Sequence, residues 1–320
     1  MKIKKILIIR FNAIGDVVHT TVIPYAIKQK HPECSIHYLT SPGNAIMLQN
    51  CNYIDKIIAF NDDTKQTIKD IRQEKYDIVI SLNYTLKSYY LTFLSGAKKI
   101  AFRSYKGTSW VENYFHTAKK VYKDLELPPR LYMENYNRVA IEKVTNKLNQ
   151  YPKPHIMINP GRYEGNARQG RIWHIDKWKT LSEKLLQTYG GTIFVNGSAK
   201  ERDYHATLED KGIVLLSGEF SLQETCIVLS MADLMISGDS GPLHIASAYN
   251  VKTLAILGST SPQKIKPYGG NGYYVEPNIE CKYCWKKKCK HTTSQKDYTP
   301  CIESITPDDV MEKIKKHGLL

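Results

Sequence analysis

The chain has 320 residues, of which 42% are apolar, and a formal net charge of +14. This length suits two domains of ordinary size, and the apolar fraction excludes a disordered chain. The positive charge favours anionic partners such as nucleic acid, an anionic membrane face or a phosphorylated substrate, although a lysine-rich proteome would give the same excess. No apolar run approaches the length that a membrane span needs.

The first half of the chain alternates short β-branched runs with longer amphipathic stretches. This alternation is typical of βαβ units that build a parallel sheet. The opening apolar run ends at Arg10 and is too short for a signal-peptide core. We therefore interpret it as the first strand and expect a cytoplasmic protein. Strands are predicted at residues 3–10, 35–40, 54–60, 76–82 and 98–102, and helices at 16–30 and 64–74.

A proline-containing break separates the two halves. Pro128 and Pro129 precede a predicted helix at 132–149, and two further prolines make 151–154 a stiff linker. We therefore place one domain at 1–150 and the other at 151–320. The alternation then restarts, with strands predicted at 155–159, 192–196, 213–216, 233–237 and 253–257, helices at 175–189, 200–210, 222–230 and 241–249, and a closing helix at 307–317.

The predicted fold class is α/β, with two Rossmann-like, doubly wound parallel sheets. Two such sheets in tandem are expected to face each other across a central cleft at the carboxyl ends of their strands, where these folds bind ligands. No strand is followed by G-x-G-x-x-G, which argues against a dinucleotide site. Gly165 and Gly170 have Walker A spacing, but the Lys-Ser/Thr pair that would follow them is absent.

The first strand leads into a short motif, Ile14-Gly-Asp-Val-Val-His19. Gly15 permits a tight turn, and Asp16 then falls at a helix N-terminus. One interpretation is a simple helix cap, which the helix dipole favours. The other is a carboxylate that points into the cleft as a general base. The dipole lowers the pKa of this carboxyl and weakens the base unless bound substrate desolvates it.

A second motif joins an apolar strand to a helix through the turn Gly238-Asp-Ser-Gly241. Pro242 suits the first helical turn, where its missing amide costs nothing. The free amides near Ser240 and Gly241, together with the dipole, make an anion site. His244 lies one turn along and is positioned to donate to a phosphate. The alternative is a well-capped core helix with a satisfied histidine.

A basic loop in the second half, residues 162–171, ends beside two tryptophans. Trp173 and Trp178 are predicted core anchors of the next helix. Arg171 directly precedes that helix, and its planar guanidinium suits a phosphate. Taken alone this signal is weak, because most loop arginines are solvated.

Four cysteines cluster near the end of the chain, in the spacing Cys281-x2-Cys284-x4-Cys289-x11-Cys301. In a reducing cytoplasm such a cluster indicates a metal before disulfides. The first pair has the spacing of a tetrahedral knuckle, so we predict a structural Zn or Fe site. Reduced free thiols in a loop are the alternative.

Three of these segments, in order, resemble glycosyltransferase family 9, the ADP-heptose:lipopolysaccharide heptosyltransferases. They are the Asp16 motif, Arg171-Ile-Trp173, and Gly238–Ala246 followed by Leu257–Pro262. The resemblance implies a GT-B fold and an inverting, metal-independent transfer. It places the catalytic aspartate on Asp16, the phosphate-binding cation on Arg171 where the family commonly has Lys, the ribose ligand on Glu201, the base-packing position on Phe220, and the nucleotide loop on Asp239, Ser240, Gly241 and His244.

The resulting hypothesis is an enzyme that transfers a heptose from ADP-heptose to a lipopolysaccharide inner core. Its expected partners are the nucleotide sugar and an anionic glycolipid or protein acceptor, with peripheral association at the inner face of the inner membrane and no nucleic acid. Two alternatives remain open. The same fold would serve a protein or capsular acceptor, or the chain would be a non-catalytic metal-knuckle module that binds RNA or an anionic membrane. Only the enzymes need a carboxylate at Asp16.

Overall fold

The computed structural model of the chain describes residues 5–49, 51–102, 107–134, 137–161, 170–286, 288–292 and 298–320. Its contacts divide it into two compact units, Met1–Asn137 and Arg138–Leu320. Each unit contains one sheet whose strand pairs are all parallel. The predicted α/β class is therefore confirmed within each unit.

The first unit is built on five strands in the order β3-β2-β1-β4-β5. The central strand β1 is buried on both faces, which explains its continuous apolar sequence without polar alternation. Reversal of the strand order between β1 and β4 creates the switch point at which such sheets bind ligands. The strands are β1 (Lys5–Ile9), β2 (Ser35–Thr40), β3 (Lys56–Ala59), β4 (Ile78–Ser81) and β5 (Lys99–Phe102).

In the described residues of this unit six helices accompany the sheet, and the predicted helix at 16–30 is two helices rather than one. The break follows from two threonines, because the Thr20 and Thr21 hydroxyls donate to the carbonyls of Val17 and Val18 and compete with the helical backbone bonds. The helices are α1 (Ile14–Thr20), α2 (Val22–Lys30), α3 (Pro42–Leu48), α4 (Thr64–Glu74), α5 (Leu86–Phe93) and α6 (Trp110–Lys119).

The second unit is built on six strands in the order β11-β10-β9-β6-β7-β8, with its switch point between β6 and β9. Five of the six strands coincide with predicted ones. The edge strand β11 was not predicted, because its short sequence is only partly buried. The strands are β6 (His155–Asn159), β7 (Thr192–Val195), β8 (Ile213–Leu215), β9 (Leu234–Ser237), β10 (Thr253–Ile256) and β11 (Gly272–Val275).

Eight α-helices are present in the described residues of the second unit. The first of them begins later than the predicted helix at 132–149, and the prediction at 200–210 is one short helix between two 3-10 turns. The helices are α7 (Arg138–Leu148), α8 (Ile175–Tyr189), α9 (Arg202–His205), α10 (Leu222–Ser230), α11 (Gly241–Ala248), α12 (Pro262–Ile265), α13 (Pro300–Glu303) and α14 (Pro307–His317).

The division between the units falls before α7 and therefore upstream of the expected boundary at 150. The ion pairs Lys143–Glu224, at 2.7 Å, and Lys147–Glu219, at 2.9 Å, tie α7 to α10 and to the segment before it. The proline linker predicted to separate the domains thus lies inside the second unit, where it leads directly from α7 into β6.

The core of the second unit contains both predicted tryptophan anchors. Trp173 and Trp178 are almost fully buried and meet edge to face, with 5.2 Å between ring centroids. The indole of Trp173 donates to the Ile305 carbonyl at 2.9 Å. The closing helix α14 packs on α8 and has the predicted bounds. Within the described ranges no helix is both long and apolar enough to cross a bilayer.

Candidate active site

The loops after β1 and β4 are bonded together at the switch point of the first sheet. The Arg10 guanidinium donates to the Leu82 carbonyl at 2.7 Å, and the Phe11 amide donates to the Asn83 side chain at 3.0 Å. The Arg10 side chain is itself buried, with 6% of the residue surface exposed. A cation is thus fixed at the carboxyl edge of the sheet, directly before the loop that leads to Asp16.

Asp16 both caps a helix and forms an ion pair with the buried Arg10. Its Oδ2 lies 2.7 Å from Arg10 Nη2 and accepts from the Ala13 amide at 3.1 Å. Its Oδ1 accepts from the Tyr114 hydroxyl at 2.6 Å. The side chain is 30% exposed, so a face of the carboxylate remains accessible. The capping interpretation is therefore correct, and it leaves the carboxylate available for chemistry.

The surroundings of Asp16 set its acidity. Burial raises the pKa of the carboxyl, but the Arg10 charge, the Tyr114 hydrogen bond, the charge of His19 and the Ala13 amide together lower it below its usual value. The group is therefore ionised at neutral pH. It becomes a stronger base only when bound substrate removes water or displaces one of these partners.

Sequence reasoning identified Asp16 but missed the two side chains that hold it. Arg10 carries a signal, since a charged residue ends an otherwise apolar strand. Tyr114 carries none, because it lies on α6, 98 residues away from Asp16. Its ring also stacks beneath the Arg10 guanidinium, 5.1 Å from ring centroid to Cζ.

A cavity of about 620 Å³ opens at the same edge of the first sheet. The rings of Phe11 and Phe60 stack in its wall, 4.8 Å apart. Lys87 reaches across this wall to an ion pair with Asp62 at 2.6 Å. Stacked rings beside amide and hydroxyl groups suit a sugar. The lining residues are Phe11, Asn12, Ser41, Pro42, Phe60, Asp62, Asn83, Thr85, Leu86 and Lys87.

The switch point of the second sheet carries the predicted anion site. The Ser237 hydroxyl donates to the Asn159 carbonyl at 3.1 Å and shares a 2.7 Å hydrogen bond with Ser240. Ser240 stands at the N-cap of α11, yet its side chain does not bond to the helix amides. The amides of the first turn are thus left for a bound anion.

Three of the predicted ligands meet beside this helix end. Arg171 Nη2 lies 2.6 Å from Asp239 Oδ2, and His244 Nε2 lies 3.9 Å from Asp239 Oδ1. The Asp239 and His244 side chains are 10% and 4% exposed. Because a carboxylate repels phosphate, Asp239 is suited to position Arg171 and His244 rather than to bind the anion itself.

Gly238 is required by this arrangement. A Cβ at this position would lie 2.6 Å from the Arg171 carbonyl oxygen, closer than real contacts allow. The strand end and the Arg171 backbone therefore approach each other only because the side chain is absent.

Trp285 was not expected at this site. Its ring lies 5.4 Å from Arg171 Cζ and 5.9 Å from Lys264 Nζ. The Trp285 amide donates to the Ser259 carbonyl at 3.0 Å, which holds the cysteine-rich segment on the loop after β10. Its place in a cysteine cluster gave no hint of this contact.

The contacts found for Glu201 and Phe220 are with other residues. Glu201 follows β7, and its carboxylate accepts from both the amide and the hydroxyl of Ser198, each at 2.7 Å. Phe220 follows β8, and its ring lies 5.5 Å from Lys143 Nζ. Their predicted roles at the ribose and the base therefore remain predictions. Residues 162–169 of the predicted basic loop fall outside the described ranges.

The four clustered cysteines line a single small cavity of about 10 Å³, together with Ser259, Lys286, Thr299 and Pro300. That is about the least space that holds one water molecule. Burial raises the pKa of Cys301, the Thr299 hydroxyl lowers it, and Cys284 and Cys289 raise it further. In the described part of the chain, however, no three His, Cys, Asp or Glu side chains stand in position to hold a metal ion. The predicted Zn or Fe site is therefore not formed in this geometry.

Two doubly wound sheets, one with an uncapped helix N-terminus at its switch point, are typical of α/β proteins that bind nucleotides. Residues 103–294 match the model for glycosyltransferase family 9 (heptosyltransferase). The chain belongs to this family and is a glycosyltransferase. Membership confirms the predicted resemblance and favours an enzyme over a non-catalytic metal-knuckle module.

Relatives and solved structures agree with this assignment. Lipooligosaccharide heptosyltransferase 2 of Campylobacter jejuni is 27% identical over 95% of this chain and 96% of its own. The Escherichia coli ADP-heptose lipopolysaccharide heptosyltransferase II has a TM-score of 0.79 at 19% identity, covering 98% of both chains. The iron-containing heptosyltransferase TibC, from enterotoxigenic E. coli, has a TM-score of 0.60 at 15% identity and covers 100% of this chain and 78% of that one. The predicted GT-B fold class is confirmed.

Replacing Tyr114 with Phe is expected to raise the pKa of Asp16, because the carboxylate loses a hydrogen bond to its charged form. A carboxyl whose pKa is lower in the folded protein than in the unfolded chain stabilises the fold at pH values above its unfolded pKa. This stabilisation is lost as the pH falls through the pKa of the folded protein. Tyr114→Phe should therefore lose stability to acid earlier than wild type.

Carboxyl NMR titration and acid unfolding both report this change. Tyr90→Phe, which alters an exposed tyrosine on α5 of the same unit, is the matched control. An Asp16 titration that is the same in wild type and Tyr114→Phe would contradict the assignment.

Gly238→Ala is expected to displace the Arg171 backbone and to destabilise the protein by about 1–3 kcal/mol. The stabilisation of the protein by ADP should fall with it, since Arg171 would no longer meet the end of α11. Gly43→Ala is the control, because a Cβ there meets nothing within 4 Å. Thermal denaturation with and without ADP measures both effects, and equal behaviour of the two variants would refute the packing argument.

Proposed function

We propose that the protein transfers a heptose from ADP-heptose to the inner core of a lipopolysaccharide or lipooligosaccharide, with inversion and without a metal in the chemical step. The observation that carries this proposal is the Asp16 carboxylate, held by Arg10 and Tyr114 at the carboxyl edge of the first sheet. The Campylobacter jejuni relative is a lipooligosaccharide heptosyltransferase and the similar Escherichia coli structure is an ADP-heptose lipopolysaccharide heptosyltransferase, which supports the donor and the acceptor.

The donor half of the reaction is the departure of ADP. As the bond from the anomeric carbon to the phosphate oxygen breaks, its electron pair passes to the diphosphate. The first-turn amides of α11, the Arg171 guanidinium and His244 stabilise this developing charge. Asp239 orients both side chains through its two oxygens. In this proposal Glu201 contacts the ribose and Phe220 packs near the base.

The acceptor half is the attack of a sugar hydroxyl on the anomeric carbon. Asp16 accepts the hydroxyl proton while the new carbon–oxygen bond forms on the face opposite the leaving group. The ionised state of free Asp16 ensures that the base is ready when the acceptor arrives. Exclusion of water by the bound acceptor then raises the pKa of Asp16 and opposes the lowering caused by the Arg10 charge.

Asp16→Ala is expected to lower the transfer rate by about 10²–10⁴-fold, because the attacking hydroxyl loses its base. Stabilisation by ADP should persist, since the donor groups lie in the other unit. Asp70→Ala, at an exposed carboxylate on α4, is the control. Transfer assays with radiolabelled ADP-heptose measure the rate, and undiminished transfer by Asp16→Ala would rule out this base.

A thermal-shift panel of nucleotide diphosphates tests the donor independently. Stabilisation by ADP over UDP and GDP supports the heptosyltransferase assignment. Preference for another base would redirect the search to another sugar donor, with a protein or capsular acceptor as the alternative.

We further propose that the four-cysteine cavity receives a structural Zn or Fe ion. The support is that four thiols line one small cavity, that thiolates are preferred ligands of both metals, and that TibC is described as iron-containing. Since the sulfurs are not in ligating positions, metal binding would require them to move together.

Elemental analysis of the purified protein tests this proposal. About one equivalent of metal is expected, and Cys281→Ser/Cys284→Ser should lose it. Cys226→Ser removes a buried thiol from α10 of the same unit and should retain the metal. Substoichiometric metal in the wild type, after purification without chelators, would reject the site.

A further inference from the structure

The loop after β10 leads to a lysine on the same edge of the second sheet as the anion site. Because β9 and β10 are parallel neighbours, paired at Ser237 and Ala255, the loops that follow them leave the same edge of the sheet. The loop after β9 leads to the end of α11, and the loop after β10 leads into α12, where Lys264 is exposed. Lys264 therefore follows the strand next to the one that carries the anion site.

Three backbone segments are bonded together at this edge. The Ser259 amide, in the loop after β10, donates at 3.1 Å to the carbonyl of Gly170, the residue before Arg171. The Ser259 carbonyl in turn accepts from the Trp285 amide at 3.0 Å. Two cations lie over the Trp285 ring, with Arg171 Cζ 5.4 Å and Lys264 Nζ 5.9 Å from its centroid. Ser259 thus fixes the ring beside the segment that carries Arg171.

The backbone of Trp285 is in the left-handed region, with a φ of 55°. Bulky side chains rarely adopt this conformation, whereas glycine adopts it without steric cost. Strained backbone of this kind clusters at functional sites, where the surrounding structure holds it in place. A tryptophan at a position that favours glycine indicates that the ring itself has a role.

The charges at the anion site leave room for a second cation. Arg171 is paired with Asp239 at 2.6 Å, so these two side chains together carry no net charge. A departing diphosphate carries several negative charges, which a pair without net charge does not offset. Within the described ranges the ion pairs of the second unit do not include Lys264, so its charge is available to an anion.

We propose that Lys264 binds the diphosphate of the donor as a second cation and that Trp285 is the positioning residue for both Lys264 and Arg171. The inference rests on the proposed function in one respect, namely that the second unit binds a nucleoside diphosphate. A ring face attracts a cation through its quadrupole and leaves N–H groups free to donate. Arg171 Nε is buried and has no hydrogen-bond partner among the described residues, so this donor is available to a phosphate oxygen. The ring thus orients both cations without neutralising them, as a carboxylate would.

Isothermal titration of the full chain with ADP tests the role of Lys264. Lys264→Gln should weaken ADP binding about tenfold, because one charge-assisted contact to the diphosphate is lost. The difference from wild type should shrink as salt is raised, since the contact joins two charges. Lys313→Gln is the matched control, because Lys313 lies 5.7 Å over the ring of Tyr274 in the same unit and should not contribute to ADP binding. Equal ADP affinity of wild type and Lys264→Gln would overturn the proposal.

Two substitutions of Trp285 separate positioning from packing. Trp285→Leu should weaken ADP binding about threefold to fivefold, and Trp285→Phe, which keeps an aromatic face, should recover part of this loss. Thermal unfolding without nucleotide should be the same in both variants and in wild type, because Trp285 is only partly buried. Tyr274→Leu, at the control contact, should bind ADP like wild type. Equal losses of affinity in Trp285→Leu and Trp285→Phe would reject the positioning role.

Tryptophan fluorescence gives a readout that does not depend on affinity. Trp173 and Trp178 are almost fully buried, whereas Trp285 is partly exposed beside two cations. Saturating ADP, which engages these cations, should change the emission of wild type. The change should be lost in Trp285→Phe and retained in Trp110→Phe, which alters α6 of the other unit. An unaltered change in Trp285→Phe would contradict the assignment.

Heptose transfer separates this inference from the proposed function. If wild type transfers heptose while Lys264→Gln and Trp285→Leu bind ADP like wild type, the inference fails and the proposed function stands. If the variants show the expected losses of ADP affinity but wild type transfers no heptose, the proposed activity is rejected and the two residues remain part of a nucleoside diphosphate site.

Discussion

Both halves of the candidate machinery depend on one constraint, that parallel strands end at a common edge. At the first switch point β1 and β4 are joined by Arg10 and Asn83, and at the second β6 and β9 are joined by Ser237. The central strands are buried on both faces, so only their carboxyl ends are free to vary. The loops at these ends therefore contain the polar residues of the candidate site, while the buried strands form the core that stabilises each unit.

Each unit places an arginine–aspartate pair at that edge, with the roles exchanged. In the first, Arg10 is buried and fixes the partly exposed carboxylate of Asp16. In the second, Asp239 is the more buried partner and fixes the guanidinium of Arg171. The same ion pair thus orients an anion in one unit and a cation in the other. The first arrangement suits proton transfer, and the second suits a departing diphosphate.

Elements with strong local signals could be predicted from the sequence with their bounds. Helices α4, α10 and α14 begin at caps, Asp63, Ser221 and Thr306, which fix where each one starts. Local patterns did not reveal α5, because its exposed aromatic residues remove the alternation of polar and apolar faces that marks a surface helix. They also did not reveal the contact of Tyr114 with Asp16. Glu201 and Phe220, placed by resemblance alone, lack contacts that test them. Residues distant in sequence meet only through the fold, which no local pattern encodes.

The uncapped end of α11 has a consequence for turnover. Ser240 bonds to Ser237 and leaves the first-turn amides without a side-chain cap. These amides can therefore donate to the diphosphate of the bound donor and equally to that of the product ADP. The groups proposed to assist departure of the diphosphate would therefore also retain it. In an enzyme that works as proposed, product ADP competes with fresh donor, and we expect its release to slow the cycle. The rate of glycan assembly would then follow the ratio of nucleotide sugar to spent nucleotide rather than the donor concentration alone.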